Sequence, residues 1–318
     1  MSHTEQSIEP VVVLEKISMA YKKPWSQNVN IALNEVSLKI SKGETVGFVG
    51  NNGAGKSTTL RIILGLQKPT SGLALLNGRP VADHEARKGV AYVSESPYLY
   101  DYLTPLELLK HGSRMHRCHA SQNEKALEKH CMAWLERFRI QHVANKRIRT
   151  FSKGMTQRVA LAHALACQPE FLILDEPLSG LDPIGRQEVV VILDEFRASG
   201  KTLFFSSHVL NDVERLADRF VFIDKGIIQA VCSTSDVLSE CESGYIILVE
   251  GIKGIDGFER ISSRLWQKEV KESDLVSLID DISRNKNSTK MTINSIKNIN
   301  NLERAYCRFV QKIEGAGV

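Results

Sequence analysis

A chain of 318 residues, 42% hydrophobic and 25% charged, has ample apolar material for a packed core, and its length suits one large domain plus a smaller one. The net charge of +4 is small for this size and speaks against a clustered basic face for nucleic acid. No apolar run approaches the ~18 residues of a membrane span, and the opening MSHTEQSIEP lacks the basic-then-apolar order of a signal peptide, so a cytoplasmic chain is expected.

Residues 1–9 read as a polar tail. Residues 11–18, VVVLEKIS, and 31–40, IALNEVSLKI, read as strands around a turn-rich insertion, YKKPWSQNVN. SKGE then turns into TVGFVG, a short buried strand at 45–50, followed by a Gly-rich loop and an amphipathic helix, TTLRIILGLQ. Further strands are expected at 73–76, 90–93, 171–174, 202–206 and 219–224, and helices at 105–117, 122–138, 153–167, 184–199 and 209–217. Strands alternate with helices except in a helix-rich block from about 105 to 167, which predicts an α/β core with a helical insertion.

That block holds His111, His116, Cys118, His119 and His130. Without H-E-x-x-H or paired cysteines it reads as a polar helical segment, not a metal site. The six cysteines (118, 131, 167, 232, 241 and 307) include no C-x-x-C pair, so reduced thiols are expected. After about residue 235 the texture changes. Tyr245–Val249 reads as a strand, 259–284 mixes helical spacing with many charges, and 290–296 reads as a strand. Leu302, Ala305, Tyr306, Phe309, Val310 and Ile313 fall on one helix face. The expected domains are 10–235, with an insertion over about 96–165, and a small α/β accessory domain at 236–318.

Residues 50–57, GNNGAGKS, match G-x-x-x-x-G-K-[ST] through Gly50, Gly55, Lys56 and Ser57. Glycine lets the backbone of Gly50, Asn51, Asn52, Gly53, Ala54 and Gly55 turn tightly, so that successive N–H groups point at phosphate oxygens. The following helix aims its positive end at the same anion. Lys56 is placed to reach β/γ-phosphates and Ser57 to ligate Mg²⁺. In FLILDE, four apolar residues deliver two carboxylates to the end of a buried strand, where ligands of α/β sheets sit. Asp175 fits a Mg²⁺-holding role, and Glu176 fits that of the group that orients or deprotonates an attacking water.

The order of these motifs resembles the nucleotide-binding subunit of an ABC (ATP-binding cassette) transporter over roughly residues 10–235. GNNGAGKST, ending at Thr58, and FLILDEP are two of its elements. FSKGM at 151–155 stands where the family carries LSGGQ, SGLD at 179–182 resembles the D-loop, Ser206-Ser207-His208 resembles the switch-histidine segment, and Tyr21 resembles the adenine-stacking aromatic. The resemblance implies a P-loop NTPase fold with an antiparallel β-subdomain and an inserted helical subdomain. It implies ATP and Mg²⁺ as ligands, and transmembrane permease subunits and a second ATP-binding subunit, expected to be an identical copy, as partners. It also implies peripheral attachment to the cytoplasmic face of the membrane through the permease.

In such a pair each ATP lies between one chain's phosphate loop and the other's signature. Ser152, Lys153, Gly154 and Met155 are then expected to serve the partner's ATP, with Asp182 in the D-loop and His208 at the γ-phosphate. Lys153 and Met155 depart from LSGGQ. Glu95 stands where the family usually has Gln, a position that implies a metal contact. Both departures point to an exporter-like subgroup of ABC-2 type. Tyr98, Tyr100 and Tyr102 are expected near the cleft for a permease helix. Soluble ABC proteins of ribosomes or DNA fit less well, because this chain has one cassette and no long coiled coil. A silent cassette fits poorly with Lys56, Asp175, Glu176 and His208 all present.

Overall fold

The five residues TVGFV at 45–49 are all buried, as a strand covered on both faces must be, and they form the centre of the main sheet. The computed structural model describes residues 9–22, 29–118, 123–233, 244–251, 257–284 and 292–298. The chain divides into two compact units at 231/232.

In the first unit, β1 (Pro10–Lys22) and β2 (Val29–Ser41) pair antiparallel and β4 (Ser71–Leu76) pairs antiparallel with β1, with β5 (Arg79–Pro80) at the edge, in the order β2-β1-β4-β5. The second sheet has the order β10-β9-β3-β8-β7-β6. It is built from β3 (Thr45–Val49), β6 (Val90–Val93), β7 (Phe171–Asp175), β8 (Thr202–Ser207), β9 (Arg219–Asp224) and β10 (Ile227–Ser233). Its β9-β3-β8-β7-β6 part is parallel. One core joins the two sheets, from Val12, Leu14 and Ile40 to Phe48, Ile173 and Phe204. The Phe48 and Phe204 rings lie 5.5 Å apart.

The α/β expectation holds, with corrections at the edges. The first helix, α1, runs Lys56–Ile63 and not from Thr58 to Gln67. Strand β10 was not expected from the sequence. It follows a two-residue turn with positive φ at Lys225 (47°) and Gly226 (77°), the I′ geometry that matches strand twist.

The helical block contains α2 (Pro105–Met115), α3 (Glu124–Arg137) and α4 (Lys153–Ala166). Thr104 caps α2 in a reciprocal box with Glu107, and Pro105 occupies the first turn, where its missing N–H costs nothing. Gly112 of α2 lets α4 approach, since a Cβ there would lie 2.3 Å from His163 Nε2. Burial, with the charges of His116 and His111, pushes His163 down to about 4 from an ordinary 6.5. The sign follows from linkage. A base whose folded pKa is depressed contributes stability above its unfolded pKa, and that stability is lost as pH falls through the folded one. Stability should therefore drop between pH 6.5 and pH 4 by an amount on the order of 3 kcal/mol, and His163→Leu should remove most of that dependence. Urea titrations at both pH values check it.

Three further α-helices lie among the described residues: α5 (Pro183–Ala198), α6 (Leu210–Glu214) and α7 (Glu272–Arg284). The last belongs to the second unit. There β11 (Gly244–Glu250), β12 (Glu259–Arg260), β13 (Leu265–Lys271) and β14 (Thr292–Asn298) form an antiparallel sheet in the order β12-β13-β11-β14. Leu275, Leu278, Ile279 and Ile282 of α7 pack on Ile247, Val249 and Val270. The helical spacing expected over 259–284 applies only from 272, because LWQKEVK pairs along β11 as β13. The expected helix face at 302–313 and His119 lie outside the described residues. Among the described residues no helix is long and apolar enough to cross a membrane.

Candidate functional site

The loop after β3 is shaped by what surrounds it. A Cβ on Gly50 would lie 2.3 Å from the Ile223 carbonyl oxygen, so only glycine fits where β3 leaves the sheet. Gly55 caps α1 at φ 111°, and a Cβ there would meet Leu33 at 2.7 Å and the Ala32 carbonyl oxygen at 2.9 Å. Lys56 then folds back over the loop. Its buried Nζ donates to the carbonyls of Gly50 (2.6 Å) and Asn51 (3.3 Å) and lies 3.4 Å from Glu176 Oε1.

A cleft of about 380 Å³ opens over this loop. It is lined by Asn51, Asn52, Gly53, Gly55, Lys56, Ser57 and Thr58, by Asn30, Ile31 and Ala32 of β2, and by Tyr21, Glu95 and Glu176. Gly50 and Ala54 support it from behind, Ala54 being 4% exposed. The Tyr21 hydroxyl pairs with the Gln67 carboxamide, 2.6 Å from Nε2 and 3.0 Å from Oε1.

Asp175 and Glu176 end β7, and neighbouring β8 holds both. In register opposite Asp175, Ser206 donates its hydroxyl to Asp175 Oδ1 (2.6 Å) and accepts from the Glu176 N–H (3.0 Å). Glu176 Oε2 lies 2.9 Å from His208 Nδ1. Its Oε1 is buried without a hydrogen bond, although Lys56 is near. Glu176 also walls a second cavity of about 110 Å³, shared with His208, Arg186 and Asp212. Burial raises the Asp212 carboxyl above its usual range. The carboxylate of Glu176 is thus the partition between two cavities, with a cation on one side and an imidazole on the other.

FSKGM lies apart from this cleft. Ser152 is the N-cap of α4, its Oγ accepting from the Met155 N–H at 3.3 Å. Lys153 reaches Ser179 Oγ at 3.5 Å, and a Cβ on Gly154 would lie 3.1 Å from the Gly180 carbonyl oxygen. Asp182 is exposed and pairs with Arg158 at 3.4 Å. The structure therefore gathers Tyr21, the loop, Glu95, Asp175, Glu176 and His208 in one region. It gathers Ser152–Met155 with 179–182 in another. Sequence reasoning missed Ser206 as the clamp on both carboxylates, Asn30–Ala32 as a cleft wall, and Gln157. The first two depend on strand register and the third on a loop that folds back onto α4, and none carries a local pattern.

A sheet of this order, with a glycine loop at the end of its central strand and carboxylates at the end of a neighbouring one, defines a P-loop NTPase cassette. The family model described as ABC transporter matches residues 33–179. An uncharacterized ABC transporter ATP-binding protein of Nostoc sp. is 38% identical over 233 residues, 73% of this chain and 68% of the relative. Nod factor export ATP-binding protein I of Cupriavidus pinatubonensis is 34% identical over 219 residues, 68% of this chain and 66% of the relative. The dimeric post-hydrolysis structure of the ATP-binding cassette MJ0796, bound to ADP and Pi, is similar with a TM-score of 0.65 and 26% identity, covering 70% of this chain and 98% of that one. This chain belongs to the ATP-binding proteins of the ABC transporter family and is an ATPase.

Proposed function

We propose that two copies of this chain pair head to tail, and that their closure on ATP powers export through transmembrane permease subunits at the cytoplasmic face of the membrane. The observation that carries this reading is the Glu176 partition, with Lys56 on one oxygen and His208 on the other. ATP takes the 380 Å³ cleft, with adenine against Tyr21 and phosphates on the N–H groups of residues 50–58. Lys56 moves from Glu176 and the loop carbonyls to the β/γ-phosphates. The orphaned Oε1 of Glu176 then accepts a proton from the attacking water, while His208 holds the other oxygen and reaches the γ-phosphate.

Ser57 and Asp175, with Glu95 at the rim, supply hard oxygen donors that suit Mg²⁺. When bound, that ion neutralises phosphate charge. The N-terminus of α4, with Ser152, Lys153, Gly154 and Met155, faces the partner's ATP, and Asp182 lies in the D-loop beside it. The exposed rings of Tyr98, Tyr100 and Tyr102 offer the permease a contact. The relative named for Nod factor export and the departures at Glu95, Lys153 and Met155 support export.

The chain should release phosphate from MgATP, stop when EDTA is added, and co-purify with a polytopic membrane protein. Co-sedimentation with ribosomes in its place would overturn the transporter reading. ATP supplied outside inside-out vesicles should drive cargo into them, and ATP-dependent loss from preloaded vesicles would reverse the direction.

A further inference from the structure

Glu176 sits at φ +50°, in the left-handed region. A residue with a side chain persists there only where its surroundings over-determine it. Three hydrogen bonds hold this stretch. Ser206 Oγ accepts from the Glu176 N–H at 3.0 Å, the Ser179 N–H donates to the Glu176 carbonyl at 3.0 Å, and Gln157 Nε2 donates to the carbonyl of Pro177 at 3.1 Å.

The third differs in kind. Gln157 is 0% exposed, and its Oε1 has no hydrogen-bond partner. A buried carboxamide that leaves its acceptor unmet is a costly way to hold one carbonyl, and a hydrocarbon of the same shape would avoid that cost. The bond falls on the residue directly after Glu176. One turn earlier on the same face of α4, Lys153 and Gly154 press on Gly180, where a Cβ would lie 3.0 Å from the Lys153 chain. The helix therefore grips the loop after Glu176 at both ends, and Gln157 grips the end nearest the carboxylate.

We infer that Gln157 is a positioning residue for ATP hydrolysis: its bond to the Pro177 carbonyl holds Glu176 in the left-handed conformation that sets its carboxylate between Lys56 and His208. This rests on the reading of Glu176 as the base. Gln157 also lies on the helix whose N-terminus is assigned to the partner's ATP. The same bond therefore links the signature of a chain to that chain's own carboxylate.

Gln157→Met keeps the length of the side chain and removes the donor and the unmet acceptor together. Its melting temperature should stay within about 4 °C of the parent, since the two changes oppose each other. Its kcat should fall roughly 10- to 100-fold with KM for ATP within about 3-fold, the signature of misplacement without lost binding. In a Glu176→Gln background, Gln157→Met should still trap ATP in a dimer. Gln157→Leu makes the same deletion with a different shape and is measured beside it. Unchanged kcat in either folded variant would overturn the inference. So would a kcat loss that comes with lowered melting temperature, raised KM and lost trapping, because that marks a structural role. Retained turnover in Glu176→Gln alone would remove the base itself and this inference with it, a result visible without any change at 157.

Discussion

Glu176→Gln should bind ATP within a few-fold of the parent and turn it over roughly 10²–10⁴-fold more slowly. The amide keeps the shape of the carboxylate, so the cleft is not reshaped. Lys56 retains the carbonyls of Gly50 and Asn51, and His208 Nδ1 still finds an oxygen to donate to. What disappears is the Glu176 oxygen that is buried without a hydrogen bond, the oxygen of that carboxylate free to take a proton. Lys56→Ala should behave in the opposite way. It removes a charge-assisted contact to phosphate worth about 1.5–3 kcal/mol, so affinity falls roughly 10- to 150-fold. Phosphate release and equilibrium binding of a fluorescent ATP analogue, measured on both variants, separate the two effects. Normal turnover in Glu176→Gln would remove Glu176 from the mechanism.

Mixed pairs of Lys56→Ala and Gly154→Asp should regain ATP trapping at about one site per dimer, while each variant alone traps none. A two-fold pair presents the same surface from both copies. The damaged loop of one chain therefore faces the damaged signature of the other, and the second site keeps an intact loop and an intact signature. Asp at 154 places bulk and negative charge where a phosphate must approach the N-terminus of α4. It also presses on the Gly180 carbonyl, since even a Cβ would lie 3.1 Å from that oxygen. Gly154→Ala isolates this steric part and should be far milder. The pair is isolated by two tags in a Glu176→Gln background, so that trapped nucleotide persists. If each signature served its own chain's ATP, every site would carry a lesion and no recovery would follow. That outcome would sink the shared-site reading.

Residues close in sequence carried most of what could be read without coordinates. GNNGAGKS and FLILDE are legible because phosphate cradling and metal binding need particular side chains within one turn of backbone, and that spacing is covalent. The buried strands at 45–49, 171–175 and 202–207 are legible because strands covered on both faces are uninterrupted apolar runs. The resemblance named Tyr21, Glu95 and His208 as members of a site and the ligand each serves, but not the protein groups that each touches.

The tertiary structure alone decided the contacts among them. Lys56, Glu176 and His208 come from three strand ends 120 and 32 positions apart, and only the parallel register β3-β8-β7 brings them within 3.4 Å and 2.9 Å. The same register sets Ser206 opposite Asp175 and so makes an unremarked serine the clamp on both carboxylates. Strand β13 escaped notice for a related reason. LWQKEVK has no clear alternation of its own and becomes a strand through its pairing with β11. Gln157, polar in the midst of a buried helix face, has a partner only because the loop after Glu176 folds back upon it. Local spacing is written along the chain, whereas register is set by burial of the whole core, and no short stretch of sequence contains it.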